Sequence, residues 1–200
     1  MSGGAARLCV MISGGGRTLL NLADEIDAGR LRATVALVIA SRECRGAERA
    51  RARGFETIVV PGEIGRAALG AMLEERAIDW VVLAGYLRYV HVPERFRGRI
   101  VNIHPALLPA FGGKGMYGRR VHEAVLASGA AETGCTVHLV DEEYDHGPIV
   151  LQGRCPVVTG DTVETLARRV FELECEVYPE ALRRLIGGGT ARASEAGTGR

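Results

Sequence analysis

The sequence predicts an α/β protein built on a doubly wound, mostly parallel sheet with helices on both faces. Three observations carry this. Short apolar, β-branched runs recur along the chain, the stretches between them are rich in Ala, Arg, Glu and Leu, and a glycine-rich turn joins the first run to the helix after it. Such alternation makes βαβ units, and parallel strands buried on both faces read as continuous apolar runs.

The first five runs are Leu8 to Ile12, Thr34 to Ala40, Thr57 to Val60, Trp80 to Ala84 and Ile100 to Ile103. The first helix is expected from Arg17, directly after Ser13-Gly14-Gly15-Gly16. Beyond Thr133 the pattern changes to two strands, Thr136 to Val140 and Pro148 to Leu151, flanking the acidic loop Asp141 to Gly147. A loop this polar faces solvent or a ligand. Asp161 or Thr162 can then cap a long helix whose apolar residues Val163, Leu166, Val170, Leu173 and Val177 recur at three- and four-residue spacing and cover the sheet. Residues 187–200 are rich in Gly, Ala, Ser and Thr with no apolar period, so a disordered tail is expected after a single domain spanning 1–186.

At 200 residues and 47% hydrophobic content, the chain can bury one substantial core without disulfide or metal staples. Lys plus Arg number 25 against 24 Asp plus Glu, so no long-range field draws nucleic acid or an anionic membrane. Small-molecule partners fit better. Cys9, Cys44, Cys135, Cys155 and Cys175 are odd in number and scattered, without a Cys-x-x-Cys pair, and read as small apolar residues in a reducing compartment. The residues from Met1 to Ala6 lack the apolar run of a signal peptide, and no stretch approaches the roughly 20 apolar residues of a membrane span. The expectation is a cytoplasmic protein with no bound metal, acting as a monomer or homodimer.

Two places can carry chemistry. The turn Ser13 to Thr18 can present N–H groups and the positive end of a helix to a phosphate, with Arg17 or Thr18 adding a donor. It matches neither the P-loop nor the Gly-x-Gly-x-x-Gly pattern, and it equally suits a tight turn that needs positive φ. Asn102 and His104 alternate at a strand end, so their side chains share a face, and Pro105 ends the ladder. At the carboxyl end of a parallel strand, an amide beside an imidazole can hold an oxygen that becomes negative while the imidazolium delivers a proton. The pair can also be local capping. Asp145, ahead of Gly147-Pro148, can pair with His104 and keep the imidazole charged, or can belong to a surface turn. Asp141, Glu142 and Glu143 read as a solvated face, His138 as a hydrogen-bonded interior residue, and His91 and His122 carry no motif.

Five segments together resemble the phosphoribosylglycinamide (GAR) formyltransferases of the folate-dependent formyltransferase superfamily. They are the Ser-Gly-Gly-Gly turn, Leu83-Ala84-Gly85-Tyr86-Leu87-Arg88, Asn102-Ile103-His104-Pro105-Ala106-Leu107-Leu108-Pro109, Gly134-Cys135-Thr136-Val137-His138 and Asp145-His146-Gly147-Pro148-Ile149. The match runs from Leu8 to about Leu185. Asn-x-His-Pro-x-Leu-Leu-Pro followed by Asp-x-Gly-Pro is specific for the superfamily, and the phosphate turn and short length favour the GAR branch.

The resemblance implies a Rossmann-like formyltransferase fold and the transfer of formyl from 10-formyltetrahydrofolate to the GAR amine, in purine biosynthesis, through a tetrahedral intermediate. It implies that Asn102, His104 and Asp145 are catalytic, with protonated His104 facing the oxyanion. Gly16, Arg17, Thr18 and Glu174 would hold GAR. Arg66, Leu87, Arg88, Tyr89, Val90 and Asn102, with Asp141, Glu142, Glu143, Tyr144 and Asp145, would hold the folate, largely through backbone groups. Two departures stand out: the family often has Asn where this chain has Thr18, and Ala110 to Gly118 is longer than the commoner Pro-Gly loop, forming a different substrate lid from which Lys114 can reach substrate or project into solvent. A sugar-amine N-formyltransferase and a non-catalytic nucleotide-binding module are the alternatives. A transfer RNA formyltransferase or a formyltetrahydrofolate hydrolase would be expected to carry a further domain.

Overall fold

In the computed structural model, which describes residues 4–188, the apolar runs pair into one seven-stranded sheet ordered β3-β2-β1-β4-β5-β6-β7. The strands are β1 (Ala6–Ile12), β2 (Ala33–Ala40), β3 (Thr57–Val59), β4 (Trp80–Leu83), β5 (Ile100–His104), β6 (Glu132–Leu139) and β7 (Ile149–Pro156). Pairing is parallel from β3 through β5 and antiparallel from β5 to β7. The order reverses between β1 and β4, so the carboxyl ends of these strands open onto a crevice, the usual ligand site of such sheets.

The helices are α1 (Arg17–Asp27), α2 (Arg45–Ala52), α3 (Arg66–Glu75), α4 (Arg119–Ala127) and α5 (Val163–Gly188), with a 3₁₀ turn at Glu94–Phe96. Alternate residues of β1 sort the layers. Leu8, Val10 and Ile12 pack with Leu19 and Leu22 of α1, Ala47 of α2, Val125 of α4 and Leu166 of α5, whereas Cys9 and Met11 pack with Leu69 and Leu73 of α3 and with Phe96. Both faces are therefore covered, as expected. All five cysteines are free thiols, and among the described residues no helix is long and apolar enough to cross a membrane.

The largest boundary differences from the sequence reading lie in β6, β7 and α5. β6 begins at Glu132 and β7 runs to Pro156, because the two pair along their full length and polar Gln152 and Arg154 sit in the ladder. Thr162 is the residue that caps α5: its Oγ1 accepts from the Thr165 N–H at 3.3 Å while Thr165 Oγ1 accepts from the Thr162 N–H at 2.9 Å. Asp161 instead pairs with Arg169. Gly187 and Gly188, expected in the tail, close the last turn of α5, and residues 189–200 of that expected tail lie outside the described residues.

Tyr178 fastens α5 to the sheet. Its ring is fully buried and its hydroxyl lies 3.0 Å from the carbonyl oxygens of both Leu83 and Val101, at the ends of the central strands. Tyr178→Phe removes the donor and leaves those buried carbonyls underserved. The expected loss is about 1–2 kcal/mol of unfolding free energy, measured by urea denaturation, with the slope unchanged.

Candidate active site

The glycine turn, the strand-end pair and the acidic loop meet in one cleft of about 720 Å³ at the carboxyl ends of β1, β4 and β5. The antiparallel register of β5 and β6 places His138 opposite Asn102 and Thr136 opposite His104. Thr136 is fully buried and organises the loop after His104: its hydroxyl donates to Ala106 O at 2.7 Å and accepts from the Leu108 N–H at 3.0 Å. Gly147 lets the acidic loop close onto β6, since a Cβ there would lie 1.9 Å from Leu139 O. That closure carries Asp145, at φ 54°, back over β5.

His104 Nδ1 lies 3.4 Å from Asp145 Oδ2, and the two side chains are only 4% and 11% exposed. His104 Nε2 lies 2.8 Å from Phe111 O, and the Gly113 N–H donates to Asp145 Oδ2 at 3.0 Å. The loop Ala110 to Gly118 thus folds down onto both groups. Asn102 Nδ2 lies 3.1 Å from His138 Nε2 and 3.5 Å from Asp145 Oδ1. His138 Nδ1 faces Leu139 O at 2.9 Å, a pure acceptor, so in the neutral ring Nδ1 carries the proton and Nε2 accepts from Asn102. His138 thereby fixes which way the Asn102 amide points. The second Asn102 N–H, held only weakly by Asp145 at 3.5 Å, is the one available to a ligand.

Burial would raise the Asp145 carboxyl, but His138, the His104 ring and the Gly113 N–H outweigh it and hold it below the usual carboxylate range. For His104 the balance falls the other way. Burial pulls its imidazole below the ordinary histidine range, against the upward pull of Asp145 and the Phe111 carbonyl, with His138 adding to the fall. This corrects the expectation that Asp145 keeps the ring charged: in the ligand-free cleft at neutral pH the neutral form prevails, because desolvation of the cation exceeds what one carboxylate returns.

On the same cleft wall, Gly16 caps α1 in the left-handed region at φ 70°, followed by Thr18. The Arg17 guanidinium stacks 3.9 Å over the Phe171 ring of α5, one helical turn from Glu174. Burial pushes the Glu174 carboxyl up to about 7, with Arg17 pulling the other way. A carboxyl with that value protonates on folding between roughly its ordinary range and pH 7, so its charged form weakens the fold as pH rises through that window. Glu174→Gln removes the cost, so relative to wild type it should gain thermal stability between pH 5.5 and 8. Parallel melting curves for the two proteins, as a function of pH, check this.

The folate-side residues Leu87, Arg88, Tyr89, Val90, Asp141, Glu143 and Tyr144 all line the cleft, and Lys114 enters it from the loop. Arg66 and Glu142 are off its wall, paired with each other at 3.1 Å on the outer side of the acidic loop. Glu142 and Glu143 are exposed, as expected of a solvated face, and the loop is also braced: Asp141 accepts from the Glu143 N–H at 2.8 Å and lies 2.8 Å from His146, and Tyr89 donates to Glu142 O at 2.9 Å. Sequence reasoning missed two histidines of the cleft. His138 has its signal in a cross-strand register, and buried His122 of α4 leaves Nδ1 without a partner on the cleft wall, in a helix the sequence did not delimit. Among the described residues no cluster of His, Cys, Asp and Glu is arranged to hold a metal.

Residues 6–182 match the family model described as formyl transferase. The chain is 41% identical over 186 residues to the chloroplastic phosphoribosylglycinamide formyltransferase of Arabidopsis thaliana, covering 88% of this chain and 64% of that protein. It is 34% identical to the phosphoribosylglycinamide formyltransferase of Haemophilus influenzae, covering 91% and 88% of the two. The glycinamide ribonucleotide transformylase 1 of Symbiobacterium toebii superposes with a TM-score of 0.84 at 41% identity, covering 92% of this chain and 88% of that one. The chain thus spans less than two thirds of the plant relative and most of the bacterial ones. With a conserved-family match along nearly the whole sheet and relatives above 30% identity that it spans almost completely, the chain belongs to the formyl transferase family, among the phosphoribosylglycinamide formyltransferases.

Proposed function

We propose that this protein transfers the formyl group of 10-formyltetrahydrofolate to the amine of 5'-phosphoribosylglycinamide. One observation carries the reading: Asn102, His104 and Asp145 converge in one cleft whose wall also carries a turn of free N–H groups and exposed apolar side chains. Leu87 and Tyr144 are exposed on that wall, which suits a flat heterocycle. A cleft of about 720 Å³ is in the range that admits small-molecule ligands.

The folate supplies an activated formyl group, and this chain's residues position it and move protons. The free Asn102 N–H and His104 Nε2 donate to the formyl oxygen as amine attack makes it negative. For Nε2 to do so, the Phe111 carbonyl gives way, so the loop Ala110 to Gly118 rearranges as a lid when substrate enters. Asp145, kept ionised, accepts the proton leaving the amine and passes it towards His104 Nδ1. His104 then carries charge only while the neighbouring oxygen is negative, and Nε2 delivers a proton to the departing folate nitrogen. Gly16, Arg17 and Thr18 hold the phosphate, and Glu174 contacts the glycinamide. Residues 1–186 form the catalytic domain, and the five free thiols favour a reducing compartment such as the cytoplasm.

Thermal-shift measurements with GAR and with a 10-formylfolate analogue test this reading. Each ligand at about a hundredfold its Kd should raise the melting temperature by several degrees. A protein stabilised by GAR but indifferent to the folate would be a nucleotide-binding module instead.

A further inference from the structure

The glycine turn is one-sided in a way its own sequence does not explain. Three of its four carbonyls are engaged from behind: Ser13 O by Arg42 Nε at 3.1 Å, Gly14 O by the Gly46 N–H at 2.9 Å and Gly15 O by Arg49 Nη1 at 2.7 Å, while Gly16 O accepts the first helical bond of α1, from the Leu20 N–H at 3.0 Å. The N–H groups of Gly14, Gly15 and Gly16 donate to no acceptor among the described residues. A Cβ on Gly14 or Gly15 would meet nothing within 4 Å, so that side of the turn is open to the cleft. All three of these back-side donors come from α2 and the residues leading into it. Neither Arg49 nor Gly46 lines the cleft.

We propose that Arg49 and Gly46 are positioning residues that hold the glycine turn with its carbonyls facing α2 and its N–H groups facing the substrate phosphate. Peptide units in a glycine run rotate easily, and a unit that flips presents a carbonyl to the anion and repels it. Arg49 prevents this at the Gly15–Gly16 unit through a charge-assisted hydrogen bond. Gly46 does so at Gly14–Gly15 through its N–H, and its missing side chain sets the distance: a Cβ there would lie 2.5 Å from Gly14 O and 2.9 Å from Gly16 N. Those neighbours are backbone and have no rotamer by which to yield.

The proposal rests on the reading that this turn takes the GAR phosphate. Steady-state kinetics on the full chain test it, with KM measured separately for GAR and for 10-formyltetrahydrofolate in wild type, Arg49→Met, Gly46→Ala and Arg45→Met. Arg45 is an exposed α2 cation that makes no hydrogen bond to the turn, so its removal controls for loss of charge alone. Arg49→Met should raise the GAR KM about tenfold, as expected for one lost charge-assisted bond, with the folate KM and kcat within about twofold of wild type. Gly46→Ala should do the same, and should Gly46→Ala fail to fold, Arg49→Met decides alone. An unchanged GAR KM, a parallel rise in both KM values, or an equal rise in Arg45→Met would overturn the proposal. Failure of the underlying reading looks different, because wild type itself would then show no saturable dependence on GAR.

Discussion

His104→Ala should lower kcat by about 10² to 10⁴, the range of a positioned general acid, while both substrates still bind and the melting temperature stays near wild type. The ring lies at the end of β5 with Asp145 facing Nδ1, and Nε2 becomes available to substrate once the Phe111 carbonyl moves away from it. Asp145→Asn should mimic the kinetic defect, since the amide keeps the size but cannot accept a proton. Single-turnover measurements would place both losses in the chemical step. Near wild-type kcat in either purified variant would contradict the assignment.

Asn102→Ala should cost about 10² to 10³ in kcat, the usual effect of deleting one oxyanion donor. The loss should fall on kcat rather than on the folate KM, because the free N–H meets a full negative charge only in the transition state. Combined with His104→Ala, it should cost less than the product of the two single effects, since both donors serve one oxygen. Equal and additive losses in KM would instead mark Asn102 as a ground-state contact.

Much of this arrangement is legible in the sequence because local rules decide it. The parallel strands announce themselves as apolar runs buried on both faces, and the α5 period names Leu166, Val170, Leu173 and Val177, which pack in the core, while Val163 at its start lines the cleft instead. Asn102 and His104 share a face simply because strands alternate. What escaped depends on contacts between segments distant in sequence. His138 acquires its role only from the β5–β6 register, and Phe111 meets His104 only because its loop folds back. The His104 charge state was misread for the same reason: the sequence names the carboxylate partner but not the burial that opposes it. Arg66 stood near the folate in the sequence reading and lies outside the cleft wall because Glu142 holds it on the outer side of the loop. The end of α5 ran past the expected boundary because Leu185 and Ile186 still pack against the core, and two glycines are a small cost beyond them.

The central claim is that one cleft joins a formyl donor to a phosphorylated amine. Following loss of formyl from 10-formyltetrahydrofolate by the purified chain tests it most directly, with GAR as acceptor, with an amino-sugar nucleotide, and with none. Rapid, stoichiometric formation of formyl-GAR, with negligible loss in the other two reactions, is the predicted result. Formyl transfer to the amino sugar in preference to GAR, or formyl release without any acceptor at a comparable rate, would contradict it.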